Sequence, residues 1–290
     1  MRRASCRALS FIMYARRRLE GVFSLAARVH APRLLPTQFH PTYKFLDIHT
    51  TLTDVDFGCG KRMSLRLLSP SSHVMNFTER DVAESPLGCN LPFWAFLWPG
   101  GYGITRWILE GGRSLQGSVV VDIGSGCASA SIAAKMQGAA AVFASDTDPF
   151  ACIAAADNSR CNGVSGVIAT PLDLLPPLPN HASASAALHA LECHIALCAP
   201  RVSRSAPRLL LLGDMLYDGD VGPRVLALAR AACTRGWCVV TGDPGRSIAA
   251  SQASRLGQRV ARYDLSPSLR ASNHGMACTS VYVSAAEQEP

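Results

Sequence analysis

The chain has 290 residues, 48% hydrophobic and 17% charged, with a formal charge of +7; this is the composition of a soluble globular protein, long enough to bury a sizeable core as one large domain or two small ones. Eight of the 28 basic and one of the 21 acidic side chains lie in the first forty residues, so the other 250 hold twenty of each and the body is neutral, which argues against a nucleic-acid partner. The eleven cysteines and eight histidines show no zinc or other metal-ligand spacing, and no apolar run approaches the ~18 residues of a membrane span, so neither a metal nor a membrane is expected.

The N-terminus, "MRRASCRALSFIMYARRRLEGVFSLAARVHAPR", is rich in arginine, contains serines and apolar residues, and is nearly free of acids. Residues 1–38 therefore read as a mitochondrial transit peptide, and Arg16, Arg17 and Arg18 interrupt the apolar run that a secretory signal would need. The alternative is a basic arm with another purpose. A matrix address would keep the scattered thiols reduced. Residues 39–92 read as an irregular extension with one strand, Met63–Ser69.

From residue 93 to 285 a repeating rhythm predicts a single domain. Strands are expected at Val119–Val121, Ala141–Ser145, Val164–Ala169, Arg208–Gly213, Trp237–Gly242, Gln258–Tyr263 and Met276–Val283. Helices fall at Ala128–Gln137, Pro149–Arg160, Val221–Arg235 and Ser247–Leu256. Strands of unbroken hydrophobicity alternating with helices imply an α/β fold, a doubly wound, mainly parallel seven-stranded sheet with helices on both faces. In such sheets ligands sit beyond the carboxyl ends of the strands. Residues 175–207, rich in alanine, serine and proline, interrupt the rhythm and read as a flexible surface insertion with a short helix at Ala186–Leu197.

The first strand runs into "DIGSGCA". Gly124 and Gly126 allow a tight turn and close backbone approach to a ligand. Asp146, twenty positions on and at the end of the second strand, can accept from both hydroxyls of an adenosine ribose. This pair of features suits NAD and S-adenosylmethionine (SAM) equally. Asp122 separates them: a carboxylate beside the turn opposes a pyrophosphate and suits the ammonium and sulfonium of SAM. Its alternative role is to cap the following helix. The third glycine of a dinucleotide fingerprint is missing, with Ser129 in its place.

The pattern hydrophobic-Asp-x-Gly-x-Gly resembles motif I of the class I, seven-β-strand methyltransferases. "GDMLYD", Gly213–Asp218, follows the fourth strand and has an Asp-x-x-Tyr form similar to the protein-lysine branch, without the prolines of amino-group nucleic-acid methyltransferases. "WPGG" resembles that branch's cofactor-covering segment, although Trp94 and Trp98 would also serve as core aromatics. Together with "IAAKMQGA", "DTDP" and "GDPGR", these stretches resemble, over about residues 60–285, the mitochondrial lysine methyltransferase family that modifies the β subunit of electron-transfer flavoprotein. Ala128 and Ser129 depart from it where a glycine often lies.

The resemblance implies SAM as cofactor, bound by Trp98, Asp122, Gly124, Gly126, Asp146 and, on the adenine side, Asp173. It implies Asp214 and Tyr217 as catalytic residues: Asp214 would attract and orient an incoming lysine ammonium, while Tyr217 and Trp98 wall an aromatic channel. Asp243 or Arg246 would shape the target side or form a loop-stabilising ion pair. Two other readings are open, a methyltransferase for a metabolite or RNA and a non-catalytic adaptor of the same fold.

Overall fold

Among the described residues, seven of nine strands form one sheet, and their side chains alternate between two cores as the pleat requires. Residues 46–72, 74, 91–246 and 256–284 are described in the computed structural model, all within a unit that begins at Phe45. The leader at 1–38 and nearly all of the helix expected at Ser247–Leu256 lie outside the described residues.

The first two strands, β1 (Thr50–Asp56) and β2 (Arg62–Leu68), form an antiparallel hairpin, where the sequence had suggested a single strand. The domain then runs α1 (Pro99–Leu109), β3 (Val119–Ile123), α2 (Ser129–Met136), β4 (Ala141–Ser145), α3 (Pro149–Cys161) and β5 (Val167–Thr170). It continues through α4 (His181–Cys198), β6 (Arg208–Gly213), α5 (Val221–Thr234), β7 (Cys238–Asp243), β8 (Gln258–Asp264), α6 (Pro267–Ser272) and β9 (Cys278–Ser284). Strand order is β5-β4-β3-β6-β7-β9-β8. The first five strands in that order are parallel, and β9 is antiparallel to both β7 and β8. Order reverses at β3, which places a crevice beyond the carboxyl ends of β3 and β6.

Val120, Val142, Leu209, Leu211 and Val240 face a core shared with Ile104 and Ile108 of α1 and Ile132 and Ala133 of α2. Their sequence neighbours Val119, Val121, Phe143, Leu210, Leu212 and Val239 face a second core built on α4 and α5. Both faces of the central strands are thus covered, which is why those strands read as unbroken apolar runs.

The segment 175–207, read from sequence as a flexible insertion with a short helix at Ala186–Leu197, holds a longer helix that includes those residues. This is α4, an 18-residue helix that supplies the crossover between parallel β5 and β6. Asn180 caps it by accepting from the Ser183 amide, and Ala184, Leu188, Leu191 and Ile195 are buried against the sheet. Glu192 accepts from Arg208 at 3.0 Å and Arg235 at 2.6 Å.

The hairpin is fastened by side-chain amides. Asn162 accepts from the Ser64 amide and donates to the Ser64 carbonyl, while Asn158 accepts from the Arg66 amide. The α3 asparagines thereby pair with the edge of β2 as a neighbouring strand would.

The backbone of α1 comes close to the ends of β6 and β7. A Cβ added to Gly100 would lie 2.2 Å from the Gly242 carbonyl oxygen, and one added to Gly242 would lie 2.2 Å from that of Gly100. Neither backbone can yield without moving a whole element. Replacing Gly100 by alanine is expected to cost at least about 2 kcal/mol through overpacking, lowering the melting temperature by several degrees in a thermal scan.

Candidate active site

The parallel register puts the ends of β3, β4, β6 and β7 at one edge of the sheet, with Ile123 beside Ser145 and Leu212, and Gly213 beside Gly242. The residues that follow each strand line a cleft of about 730 Å³ there, within the size range of cofactor pockets. Gly124 and Gly126 follow β3, Asp146 follows β4, Asp173 lies beyond β5, and Asp214 and Tyr217 follow β6. With Trp98 at the start of α1, all seven border the one cleft.

The glycine turn is shaped by space. Gly124 has φ +63°, and a methyl group added there would sit 2.3 Å from the Met215 sulfur. Gly126, at φ +51°, points its amide at Asp146, whose Oδ2 accepts at 3.0 Å while Oδ1 accepts from the Asp148 amide at 2.9 Å. A carboxylate offers about four acceptor sites, so acceptor capacity remains for a hydroxyl donor in the cleft. Burial raises the pKa of Asp146 despite these bonds. Ala128 closes the turn in the left-handed region at φ +59°, a conformation that costs an L-residue about 1 kcal/mol. The departure from glycine is thus absorbed as strain without a change of backbone path.

Asp122 is the one expected cofactor residue that the structure does not bring to the cleft. It is buried within β3, and its carboxylate turns toward α2 and accepts from the Ser131 hydroxyl at 2.7 Å. Burial pushes its pKa up to about 7, and the charge of Asp146 adds to the shift while the Ser131 bonds oppose it. Held by Ser131 and absent from the cleft lining, it is not placed to touch a ligand there. The sequence places this carboxylate beside the cofactor or at the cap of the next helix; the structure instead gives it to the Ser131 hydroxyl, and α2 has no side-chain cap.

Asp214 lies on the cleft wall but has no spare charge. It adopts φ +57° and is 7% exposed. Its Oδ2 accepts from the amides of Gly100 and Gly101, and its Oδ1 accepts from Arg246 Nη1 at 2.5 Å. Burial pushes its pKa up to about 6 against the pull of Arg246. The expected attraction of a free carboxylate for ammonium does not fit this geometry: the side chain caps α1 and holds an arginine. Tyr217, in contrast, is 60% exposed at the lip, and burial of part of its ring raises the phenol pKa.

At the far end Asp173 is exposed, accepting from the Leu175 amide and pairing with Arg224 at 3.3 Å. Leu172, Leu174 and Leu175 give this end an apolar wall. Trp98 donates from its indole nitrogen to the Phe93 carbonyl at 2.8 Å, which fixes the ring. Sequence reasoning missed Met215 and Arg224 as cleft residues. Trp94, which the sequence offers beside the cofactor-covering segment or as a core aromatic, is both buried, at 4% exposed, and on the cleft, with its backbone over Gly126. No local signal could have brought Arg224 of α5 to Asp173, 51 positions away.

The strand order, the glycine turn after the first parallel strand and the acid after the second form an adenosine-cofactor site, and the chain's relatives make its class that of SAM-dependent methyltransferases with this seven-stranded fold. Residues 108–181 match the family described as ribosomal protein L11 methyltransferase (PrmA). Over 75% of its length the chain is 33% identical to the electron transfer flavoprotein beta subunit lysine methyltransferase of Xenopus laevis, covering 77% of that protein. It is 31% identical to the Mus musculus protein of the same name over 66% of each chain. Among solved structures, a putative SAM-dependent methyltransferase from Streptococcus mutans aligns with a TM-score of 0.45 at 10% identity, covering 81% of this chain and 55% of that one. The chain belongs to the family of electron transfer flavoprotein beta subunit lysine methyltransferases.

The residues present fit SAM. The glycine turn leaves room that a side chain at position 124 would fill, Asp146 keeps acceptors for ribose hydroxyls, and the leucines beside Asp173 suit a planar base. Replacing Asp146 by alanine should weaken SAM binding about 10- to 100-fold in calorimetric titration, whereas Asp122→Asn should leave it within about threefold. Because the folded pKa of Asp122, about 7, exceeds its ordinary value of ~3.9, the native state holds more protons than the unfolded one between them. Its contribution to stability therefore falls as pH climbs from about 4 to about 7. Melting scans across this range should show Asp122→Asn gaining on the parent as pH rises.

Proposed function

We propose that this protein transfers methyl groups from SAM to lysine side chains of the electron transfer flavoprotein beta subunit in the mitochondrial matrix. One observation supports this reading most directly: the cleft has two chemically different ends. The end at Asp146 and the leucines is suited to an adenosine. The end at Trp98, Asp214 and Tyr217 is aromatic and lacks the prolines that would grip a planar base, and so suits a long aliphatic chain with an amine tip. The substrate is the one for which the family's proteins are named, and the matrix address rests on the arginine-rich leader.

SAM supplies an activated methyl group on a sulfonium, which already provides the leaving-group drive. The protein's residues hold the acceptor in line and dry. A lysine of ordinary pKa ~10.4 costs roughly 4–5 kcal/mol to deprotonate at pH 7, so the acceptor end must favour the neutral amine as well as admit the chain. Phe93, 54% exposed, and Tyr217 stand at the lip of the cleft, where a side chain from another protein can enter. Their rings, with Trp98, offer faces to a methylated product.

Incubating the purified protein with labelled SAM and a mitochondrial extract should place label on a protein that comigrates with the flavoprotein beta subunit. Label on RNA or small molecules, or none, would overturn the reading. Tyr217→Ala should lower kcat/KM for the protein substrate about 3- to 30-fold, the range of one cation–π contact, while Tyr217→Phe keeps most of it; steady-state kinetics separate the two.

A further inference from the structure

The acceptor end contains an arginine that the reaction as described so far does not use. Arg246 is mostly buried on the cleft wall, its side chain 18% exposed. Three elements present groups to it. From the end of β6, Asp214 lies 2.5 Å away; from the end of β7, Asp243 lies 3.7 Å away; from the start of α1, the Trp98 ring centroid lies 5.9 Å from the guanidinium carbon. Asp243 is itself 1% exposed and turns one oxygen to the amides of Gly245 and Arg246. Asp214 takes the remaining donors, the amides of Gly100 and Gly101 at the positive end of a helix. Asp214, the carboxylate that borders the acceptor end of the cleft, therefore meets three donors, one of them Arg246, whose charge it shares with the more deeply buried Asp243.

This arrangement bears on the problem stated above. Methyl transfer requires the amine lone pair to form the N–CH₃ bond as the donor's S–CH₃ bond breaks and its electron pair leaves on sulfur; the methylated ammonium then releases a proton to water. A free carboxylate would hold the lysine as ammonium, which has no lone pair. A nearby cation favours the neutral amine. Resting on the proposed lysine methyl transfer, we infer that Arg246 is a positioning residue that quenches Asp214, so that the acceptor lysine enters the cleft as a neutral amine. Its guanidinium also stands over the Trp98 ring, holding one wall of the channel.

The test is the pH dependence of single-turnover methylation of recombinant flavoprotein beta subunit. For the parent protein the rising limb should lie below the ~10.4 of a free lysine; a limb at that value would overturn the inference without any variant. Arg246→Gln should move the limb alkaline by about one unit or more, lowering the rate at pH 7.5 about tenfold and recovering it at high pH. Arg246→Lys keeps the charge and should keep the limb. Adding Asp214→Asn to Arg246→Gln removes the exposed anion and should return the limb toward the parent's. A folded Arg246→Gln protein that binds SAM but loses rate equally at every pH, or whose limb does not move, would sink the inference and leave lysine methylation standing. Absence of any transfer by the parent would remove the underlying reading, and this inference with it.

Discussion

The site depends on one contact, the seating of the first turn of α1 on the ends of β6 and β7. Gly100 and Gly242 have no room for a side chain between them, and Asp214 closes the joint by accepting from the amides of Gly100 and Gly101 while its own amide donates to the Gly242 carbonyl at 2.9 Å. Orphan amides at a helix start need a partner, and here the partner is the first residue beyond β6. That seat fixes Trp98 at the residue before the helix, and through Arg246 it fixes the loop beyond β7. One wall of the cleft is therefore set by backbone contact rather than by loop packing.

The cleft's electrostatics follow from how its acids are spent. Asp122 is turned inward, Asp214 is paired, and Asp173 is shared with Arg224. Asp146 keeps unused acceptor capacity, and it stands where ribose hydroxyls are expected. Hydroxyl recognition by Asp146 is common to methyl donors and dinucleotides, so selectivity between them falls to the space beside the turn and to the aromatic end of the cleft. The acceptor end is then governed by an arginine and two buried carboxylates, a set that can be altered without touching the nucleoside end.

Much of this was legible in the sequence because burial on both faces leaves an unmistakable apolar run: β4, β6 and β7 fall within a residue of where such runs predicted them. The glycines and Asp146 were legible because they follow strands, and strand ends are where such sheets bind. What was not legible depends on distance in the chain or on weak patterning. Asp122 looked like a ligand because position along a strand gives its parity but not which turn will cover it. Asp214 looked free because Gly100, Gly101 and Arg246, which consume its charge, lie 114, 113 and 32 positions away. The β1–β2 hairpin was only half visible, since most of β1 is exposed and carries no apolar alternation.

The helix α4 shows how a segment with little amphipathic contrast can still be held in one orientation. Its buried face includes Ala184 beside Leu188, Leu191 and Ile195, and much of its outer face is alanine too, so hydrophobicity alone leaves its rotation about its own axis loosely determined. Glu192 supplies the missing angular reference: it binds Arg208 at the start of β6 and Arg235 beyond α5, with the Trp237 indole nitrogen 3.4 Å away. A single carboxylate thus sets the azimuth of an 18-residue crossover, which leaves the composition of its solvent side free to drift while the strand order beneath it is preserved.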